Sequence, residues 1–324
     1  MAPPGGRGVP ADGRPAPRLL QPPALLRPGS ARRIGEIAGP APSGGDRLTV
    51  VSYNIRAAIG PGPFPPAWWR HVDLARLERI GDTIAGFEPD VVALQEVPLM
   101  TVDGVTTDMA GELGRALGLE QRYAAVHHLP VIEPESGAAV GAYMWGNAIL
   151  SRLRIRSSRT IALPISADDD LVEPDGSDRE LAGVRYRDVE PGMREGRCAL
   201  VCTIDDGSGP INVLSTHLTY IGSTQRRRQA EAIAESVTTL DGPLVLLGDL
   251  NAPIHAGELA PLRESLTDAF LAVGVAPVDE RRLSCGDAAI DHVLVRDLTP
   301  ISCRVATEAG DASDHWPVVA VLER

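Results

Sequence analysis

The chain has 324 residues, of which 44% are hydrophobic and 23% are charged, a balance typical of a globular protein with ample material for a core. Its 31 basic residues are all arginine, and 43 acidic residues bring the formal net charge to -12. The lack of lysine excludes Schiff-base chemistry and the phosphate-binding loop that requires a lysine. The negative charge argues mildly against broad electrostatic capture of nucleic acid, although metal-binding carboxylates would contribute to the same total.

Residues 1–45 form a separate segment that is rich in Pro, Gly and Arg and lacks hydrophobic periodicity. We expect this segment to be a disordered extension and residues 46–324 to form the folded domain. A basic arm that touches an anionic partner is the alternative for the extension. No apolar stretch within it is long enough for a signal-peptide core or a membrane span, so we expect a cytoplasmic protein, with secretion left open.

The remainder of the chain alternates between amphipathic stretches and apolar runs of strand length. Helices are predicted over residues 71–87, 108–117, 224–240 and 256–263. Strands are predicted over residues 47–55, 90–96, 122–126, 144–152, 184–187, 197–204, 211–216, 243–249, 266–270, 289–295 and 302–306, with one more after Asp314-His315. The acidic stretch 163–180 is predicted to be a solvated loop, with a lid over the site as the alternative.

The four cysteines are Cys198, Cys202, Cys285 and Cys303. Because none belongs to a CxxC pair, a zinc or redox motif is not indicated. We expect buried free thiols, while a Cys285–Cys303 disulfide stays open for an exported protein.

The most informative stretch is the apolar run 243–247 followed by Gly248, Asp249 and Asn251. Such a run is typical of a strand that is buried on both faces. Gly248 allows a sharp turn or a close approach of the backbone to a ligand. Asp249 and Asn251 would project the same way from the strand end, where binding residues tend to lie, although ordinary turn chemistry also explains such a pair.

Eight polar residues, with Asp249 and Asn251 among them, lie at or beside the end of an apolar run of strand length. They are Asn54, Glu96, His217, Asp249, Asn251, Asp291, Asp314 and His315. Each has a plain alternative as a turn residue, a solvated charge or a core histidine. Several carboxylates placed together would repel one another unless a cation or a proton joined them. Oxygen ligands without thiolates suit Mg²⁺ or Mn²⁺ better than structural zinc.

Seven short motifs, in order along the chain, resemble the endonuclease/exonuclease/phosphatase (DNase I-like) superfamily from about residue 47 to the C-terminus. They lie at residues 52–55, 93–97, 146–152, 215–218, 248–251, 290–293 and 313–318. The set is most similar to unassigned bacterial members and to the sphingomyelinase-like branch. Val97 replaces the Thr-Lys of many AP endonucleases, and the motif at Asp291 lacks the inositol polyphosphate phosphatase signature.

This resemblance implies a four-layer α/β/β/α sandwich, with two mixed β-sheets packed face to face and helices outside. It also implies metal-dependent hydrolysis of a phosphoester, with Mg²⁺ or Mn²⁺ as the cofactor. The substrate would be a nucleic acid, a phospholipid head group or a small phosphodiester, and the protein would be a monomer.

The resemblance also implies roles for individual residues. Glu96, Asn54 and Asp314 would hold the metal, while Asn251 and Asn147 would contact the phosphate. Asp249 would orient or deprotonate the attacking water. His315, oriented by Asp291, would be a general base or a phosphate stabiliser, and His217 would contact the phosphate or assist the leaving group.

Two other functions remain open at this point. The first is a catalytically inactive protein that binds phosphate or nucleic acid on the same fold. The second is a Ser-His-Asp hydrolase that uses Ser215 or Ser313, although neither serine lies in a nucleophile-elbow sequence. We expect Trp316 in the core, with stacking on a base as the alternative.

Overall fold

A computed structural model describes residues 34–35, 47–63, 65, 68–70, 72–133, 135–165, 180–181, 184–185, 196–220 and 222–324. The predicted N-terminal extension therefore lies outside the described residues, except for Ile34 and Gly35. Most of the acidic stretch 163–180 also lies outside them. Ile34 is buried, and its carbonyl oxygen accepts a 2.6 Å hydrogen bond from Arg115.

The described residues form β-strands and helices that largely follow the predicted order. The strands are β1 (Arg47–Asn54), β2 (Val91–Val102), β3 (Val105–Asp108), β4 (Glu120–Ile132), β5 (Ala139–Ser151), β6 (Arg154–Ala162), β7 (Glu180–Leu181), β8 (Val184–Arg185), β9 (Cys198–Asp205), β10 (Pro210–His217), β11 (Leu244–Asp249), β12 (Thr267–Asp268), β13 (Asp291–Arg296), β14 (Thr299–Val305) and β15 (Val318–Glu323). The α-helices are α1 (Leu74–Gly86), α2 (Met109–Leu117), α3 (Ser223–Thr238), α4 (Ala260–Ser265) and α5 (Ala269–Ala272).

The strands assemble into two large mixed sheets. The first has the order β14-β15-β1-β2-β5-β4 with β3 paired to β2, and the second has the order β12-β13-β11-β10-β9-β6. Within these sheets β1 is parallel to β2, and β10 is parallel to β11. The central strands β1 and β11 each also pair with an antiparallel neighbour, β15 and β13 respectively.

Alternate residues of the central strands face different cores, which explains their uninterrupted apolar sequences. Val50 of β1 and Val245 of β11 belong to a cluster between the two sheets. Val51 packs instead in a cluster with α1 and α2. Leu246 packs in a third cluster with α3 and α4. The layers are therefore helix, sheet, sheet and helix, as expected for the four-layer sandwich.

Three of the differences from the sequence predictions have a clear local cause. β2 continues to Val102 and forms a hairpin with β3, because Asp103 and Gly104 both have positive φ values, as a two-residue hairpin turn requires. β6 was missed because it is an edge strand with mostly exposed polar residues. The predicted strand 266–270 is only two residues long, since the side chain of Asp268 caps α5 by accepting from the Phe270 N–H.

A buried ion pair joins α5 and β12 to the segment that precedes the site. Arg282 is 1% exposed, its Nη2 lies 2.6 Å from Asp268 Oδ2, and its guanidinium lies 4.7 Å from the ring centre of Phe270. Changing Arg282 to Met would leave the Asp268 carboxylate buried without its cation. We expect the free energy of unfolding to fall by about 3–5 kcal/mol, measured by urea denaturation.

Arg281 offers a matched control for this prediction because it is adjacent in sequence but exposed, and it pairs with Asp279. The Arg281→Met variant should unfold at nearly the wild-type urea concentration. An equal effect of the two substitutions would show that the buried pair has no special part in stability.

Candidate active site

Five strand ends of the two sheets and the middle of β2 meet at one edge of the sandwich. The parallel strands β1 and β2 bring Asn54 beside Gln95, and the parallel strands β10 and β11 bring His217 beside Asp249. The antiparallel strand β13 begins at this edge, where Asp291 is paired with Asp249. β15 also begins here, because it runs antiparallel to β1. The topology thus collects residues that are far apart in sequence.

Gly248 is required by the close packing of β10 against β11. A Cβ atom at this position would lie 2.2 Å from the carbonyl oxygen of Thr216, which is too close for any side chain. The backbone at Gly248 therefore closely approaches the adjacent strand β10, while its approach to a ligand stays a prediction. This fit fixes the position of Asp249, the next residue in β11.

Asp249 lies at the centre of the cluster and is 2% exposed. Its Oδ1 accepts the backbone N–H of Asn251 at 2.9 Å, and its Oδ2 accepts Nδ2 of Asn54 at 3.1 Å. Oδ2 also lies 3.3 Å from Nε2 of His217 and 3.8 Å from Nε2 of His315. Burial, and after it the neighbouring Asp291 carboxylate, raises the pKa of Asp249 to about 7.

Glu96 reaches the cluster through an irregularity in β2. The pairing of β2 with β5 shifts between Leu94 and Val97, and Glu96 has a φ of 54°. Such a left-handed conformation is strained for a glutamate and redirects its side chain. Glu96 Oε1 accepts Nδ2 of Asn54 at 3.0 Å, so the Asn54 amide joins the carboxylates of the two sheets.

The electrostatics of Glu96 indicate a site that favours a cation. Burial raises the pKa of the Glu96 carboxyl, the hydrogen bond from Asn54 lowers it, and the negative charge of Asp314 raises it again. Asp314 Oδ2 lies 3.2 Å from Nε of Arg56. Two carboxylates near each other in a partly buried edge would be stabilised by a divalent ion, and all of their donor atoms are oxygens.

Asn54 contacts the carboxylates through its amide nitrogen. Its NH₂ group faces Glu96 and Asp249, while its Oδ1 accepts the backbone N–H of Arg56 at 3.0 Å. The amide oxygen would face the two carboxylates only after rotation of the amide group. In the described geometry Asn54 therefore positions the carboxylates of Glu96 and Asp249.

His315 and Asp291 form a buried pair. Nδ1 of His315 lies 2.8 Å from Asp291 Oδ2, and the backbone N–H of Asp291 donates to Oγ of Ser284 at 3.1 Å. Burial alone would lower the pKa of His315. The charge of the Asp291 carboxylate and its hydrogen bond to His315 outweigh the effect of burial, and Cys285 and Asp249 act in the same direction. The pKa of His315 is therefore raised well above its ordinary value.

The pKa of His217 is shifted in the opposite direction to that of His315. Burial, followed by the positive charges of Arg197 and His315, lowers the pKa of His217 well below its ordinary value. Nε2 of His217 lies 2.9 Å from Nδ2 of Asn251, which also donates to the carbonyl oxygen of Leu218 at 2.9 Å. The pKa values of the two imidazoles in the site are thus shifted in opposite directions.

Asn147 lies beside this cluster. Its position in β5 is opposite the irregular part of β2, between the partners of Leu94 and Val97. Its Nδ2 donates to the carbonyl oxygen of Cys198 at 2.9 Å, and the residue is 1% exposed. Among the contacts of the described residues, Asn147 is therefore tied to β9 and not to the carboxylates.

Three further residues near the cluster were not predicted as site residues. Arg197 is 4% exposed and lowers the pKa of both Glu96 and His217 through its charge. It immediately precedes β9, which runs antiparallel to β10, so its place before an apolar run was an available signal. Arg56 pairs with Asp314, and the Cys285 thiol lies within 4.8 Å of ligand atoms of Asp314 and His315.

The two serines considered as nucleophiles have other partners. Ser215 Oγ donates to the carbonyl oxygen of Leu94 at 3.2 Å, and Ser313 Oγ donates to that of Asn54 at 2.8 Å. A nucleophilic serine needs its hydroxyl directed at a base, so these bonds argue against a serine hydrolase. Trp316 is half-buried and donates to Gly310 at 3.0 Å, which shows that its expected place in the core was wrong.

The sequence profile of the Endonuclease/Exonuclease/phosphatase family matches residues 51–315, which include the whole cluster. The chain belongs to this family. The recognition from the short motifs is confirmed, and members of the family are generally metal-dependent phosphoesterases. No protein of curated function matches the sequence.

Solved structures share the fold of this endonuclease/exonuclease/phosphatase family protein. A family member from Beutenbergia cavernae has 22% identity and a TM-score of 0.61, covering 86% of this chain and 72% of that chain. Humanized D. rerio TDP2 has 15% identity and a TM-score of 0.56, covering 86% and 100%. The human nocturnin catalytic domain, solved with a bound sulfate anion, has 16% identity and a TM-score of 0.54, covering 86% and 94%.

Identities this low support the fold and do not identify the substrate. The similarity confirms the predicted sandwich of two mixed sheets with helices. Within the described part of the chain, no helix is both long enough and apolar enough to cross a membrane.

Proposed function

We propose that this protein is a divalent-metal-dependent phosphoester hydrolase of the phosphodiesterase, endonuclease or phosphatase type. The observation that carries the proposal is the Asn54 amide, which joins Glu96 of one sheet to Asp249 of the other. A metal-binding carboxylate and a titratable carboxylate are thereby held side by side at the edge where the strands end. This arrangement suits the activation of a water beside an anionic substrate.

Glu96 and Asp314 would hold Mg²⁺ or Mn²⁺, with Asn54 beside them. Burial is the main cause of the raised pKa of Glu96, and the negative charge of Asp314 adds to it, so a cation beside the two carboxylates would stabilise their charged forms. When bound, the ion supplies positive charge that offsets the charge of the phosphoryl oxygens. Arg56 keeps Asp314 oriented through their 3.2 Å ion pair.

Asp249 would orient the attacking water and accept its proton. A carboxyl with a pKa of about 7 is a far better proton acceptor than an ordinary aspartate and is still ionised in part at neutral pH. The backbone N–H of Asn251 and the amide of Asn54 fix both oxygens of Asp249. The side chain can therefore hold a water in one direction without losing its own position.

The two histidines would divide the remaining work, because their environments push their pKa values in opposite directions. His315, kept protonated by Asp291, would supply positive charge to the phosphate, which favours the stabiliser role over the general base. His217 stays neutral and would contact the phosphate or the leaving group. Asn251 would turn its NH₂ from His217 to a phosphate oxygen, and Asn147 would be a further contact.

The substrate is proposed only as a class: a nucleic acid, a phospholipid head group or a small phosphodiester. The formal charge of -12 favours small or lipid substrates over duplex DNA. A catalytically inactive binding protein is the second candidate. Ligand atoms of Asp249, Asp291 and His315 lie within 4.8 Å of one another, and Asn54 links Glu96 to Asp249. This arrangement argues against a binding protein, since binding alone does not require a proton acceptor of raised pKa.

Hydrolysis of bis-p-nitrophenyl phosphate tests this proposal directly. We expect turnover with Mn²⁺ or Mg²⁺ that disappears with EDTA and returns when the ion is restored. The same preparation should then be compared on DNA, RNA, sphingomyelin and phosphoinositides. Metal-independent turnover would exclude the proposed chemistry, and no turnover on any of these substrates would favour the binding protein.

A further inference from the structure

Cys285 differs from the other three cysteines of the chain. Cys198, Cys202 and Cys303 are buried, and burial raises the pKa of each of their thiols, to about 12 for the first two. Cys285 is partly exposed and is not in a disulfide, so it does not pair with Cys303. Among the four cysteines it is therefore the thiol that a solvent-borne metal ion can reach.

The Cys285 thiol lies beside two other potential ligands. One atom each of Cys285, Asp314 and His315 lie within 4.8 Å of one another. His315 is 6% exposed and offers a ring nitrogen close to the thiol. Sulfur, oxygen and nitrogen donors from three residues thus face a common point at the rim of the cluster.

The backbone holds these donors in place before any ion arrives. Cys285 and His315 form an isolated antiparallel bridge, and the Trp316 N–H donates to the carbonyl oxygen of Ser284 at 2.7 Å. A tight turn from Cys285 to Ala288 is closed by the Ala288 N–H, which donates to the Cys285 carbonyl at 2.8 Å. A preorganised set needs little rearrangement to bind an ion.

We propose that Cys285, Asp314 and His315 form a site for a thiophilic divalent ion, with Zn²⁺ as the natural candidate. A thiolate, an imidazole and a carboxylate match the ligand preferences of Zn²⁺, and three protein ligands leave a fourth position for water. Mg²⁺ prefers oxygen ligands and would compete poorly for the sulfur. The ligand atoms bind the ion in their deprotonated form, so the thiol proton and any proton on the coordinating His315 nitrogen are released to solvent.

Occupancy of this site would switch off the hydrolysis, a consequence that rests on the proposed function. A Zn²⁺ ion bound to His315 would block the ring nitrogen that would otherwise contact the phosphate. Zn²⁺ would also draw Asp314 away from its place beside Glu96. The same three residues would thus let a trace metal inhibit an enzyme that works with Mg²⁺ or Mn²⁺.

Binding can be tested without any activity, using Co²⁺ as a spectroscopic probe in an excess of Mg²⁺. We expect a thiolate-to-cobalt charge-transfer band in the wild-type protein, its displacement by Zn²⁺, and its loss in Cys285→Ser. Asp314→Asn should weaken Co²⁺ binding about 10-fold or more, as ligand-sphere losses do. The Cys303→Ala control should keep the band, and circular dichroism should show that each variant is folded.

The absence of a band in the wild type, or a band that survives in Cys285→Ser, would overturn the site. Inhibition is measured separately, as the Zn²⁺ concentration that halves Mn²⁺-dependent turnover. We expect Cys285→Ser to raise this concentration about 10-fold or more. Equal inhibition of both proteins would overturn the switch but not the site. A wild type with the cobalt band and no turnover would overturn the proposed function alone.

Discussion

Replacing Asp249 by Asn is expected to lower turnover by about 10³-fold, because a positioned base contributes about 10²–10⁴-fold. The new amide can keep the bond from the Asn251 N–H, but it cannot accept a proton from water. Steady-state hydrolysis of bis-p-nitrophenyl phosphate with Mn²⁺ measures the loss. An enzyme that keeps full activity would show that Asp249 is not the proton acceptor.

The same substitution should leave the fold intact. The amide loses the bond from Asn54, but it also removes the repulsion between Asp249 and Asp291 that raises the pKa of Asp249. At about pH 4, where the folded protein keeps the Asp249 carboxyl protonated, we expect the free energy of unfolding to change by about 1 kcal/mol or less. Asp241→Asn, an exposed change just before the same strand β11, is the matched control and should keep wild-type turnover.

The direction of the Asp249 pKa shift determines how the difference in stability between the wild type and Asp249→Asn changes with pH. The Asp249 carboxyl has a pKa of about 7 in the folded protein, above its ordinary value of 3.8. The unfolded chain therefore loses this proton first, so Asp249 makes the metal-free protein less stable as the pH rises from about 4 to about 7. In thermal unfolding with EDTA, the melting temperature of Asp249→Asn relative to that of the wild type should accordingly be higher at pH 8 than at pH 4.

Removing either partner of the Asp291–His315 pair is expected to lower turnover by about 10²-fold or more, and removing both should cost little beyond the larger single loss. The two side chains share one hydrogen bond of 2.8 Å, and residues that act as a unit are not additive. The variants are Asp291→Asn, His315→Gln and their combination, compared by kcat and KM. Additive losses would mean that the two residues act independently.

A second measurement separates positioning from mere structural support. Asp291 is the main cause that raises the pKa of His315, so nuclear magnetic resonance titration should show a lower imidazole pKa in Asp291→Asn. An unchanged His315 pKa would contradict the orienting role. His255→Gln is the control, because His255 is exposed in the connection after β11 and should not affect turnover.

The sequence by itself identified most of the strands and the residues at their ends. Continuous apolar runs such as 243–247 mark strands buried on both faces, and β11 occupies this position at the centre of its sheet. The hydrophobic pattern was weak where a strand has few apolar side chains to bury. The polar edge strand β6 was missed for this reason, although the hairpin of β2 and β3 had a turn signal in Asp103-Gly104.

The tertiary structure alone decided how the site residues divide their work. Asn54 was read as a metal ligand, but its contact with Asp249 depends on two sheets packing face to face. Arg197 and Cys285 gained a place at the site only because β9 and the turn before β13 end at the same edge. The local sequence pattern shows which residues are apolar. The pKa shifts and hydrogen bonds of the site residues depend on neighbours that are distant in sequence, so only the tertiary structure reveals them.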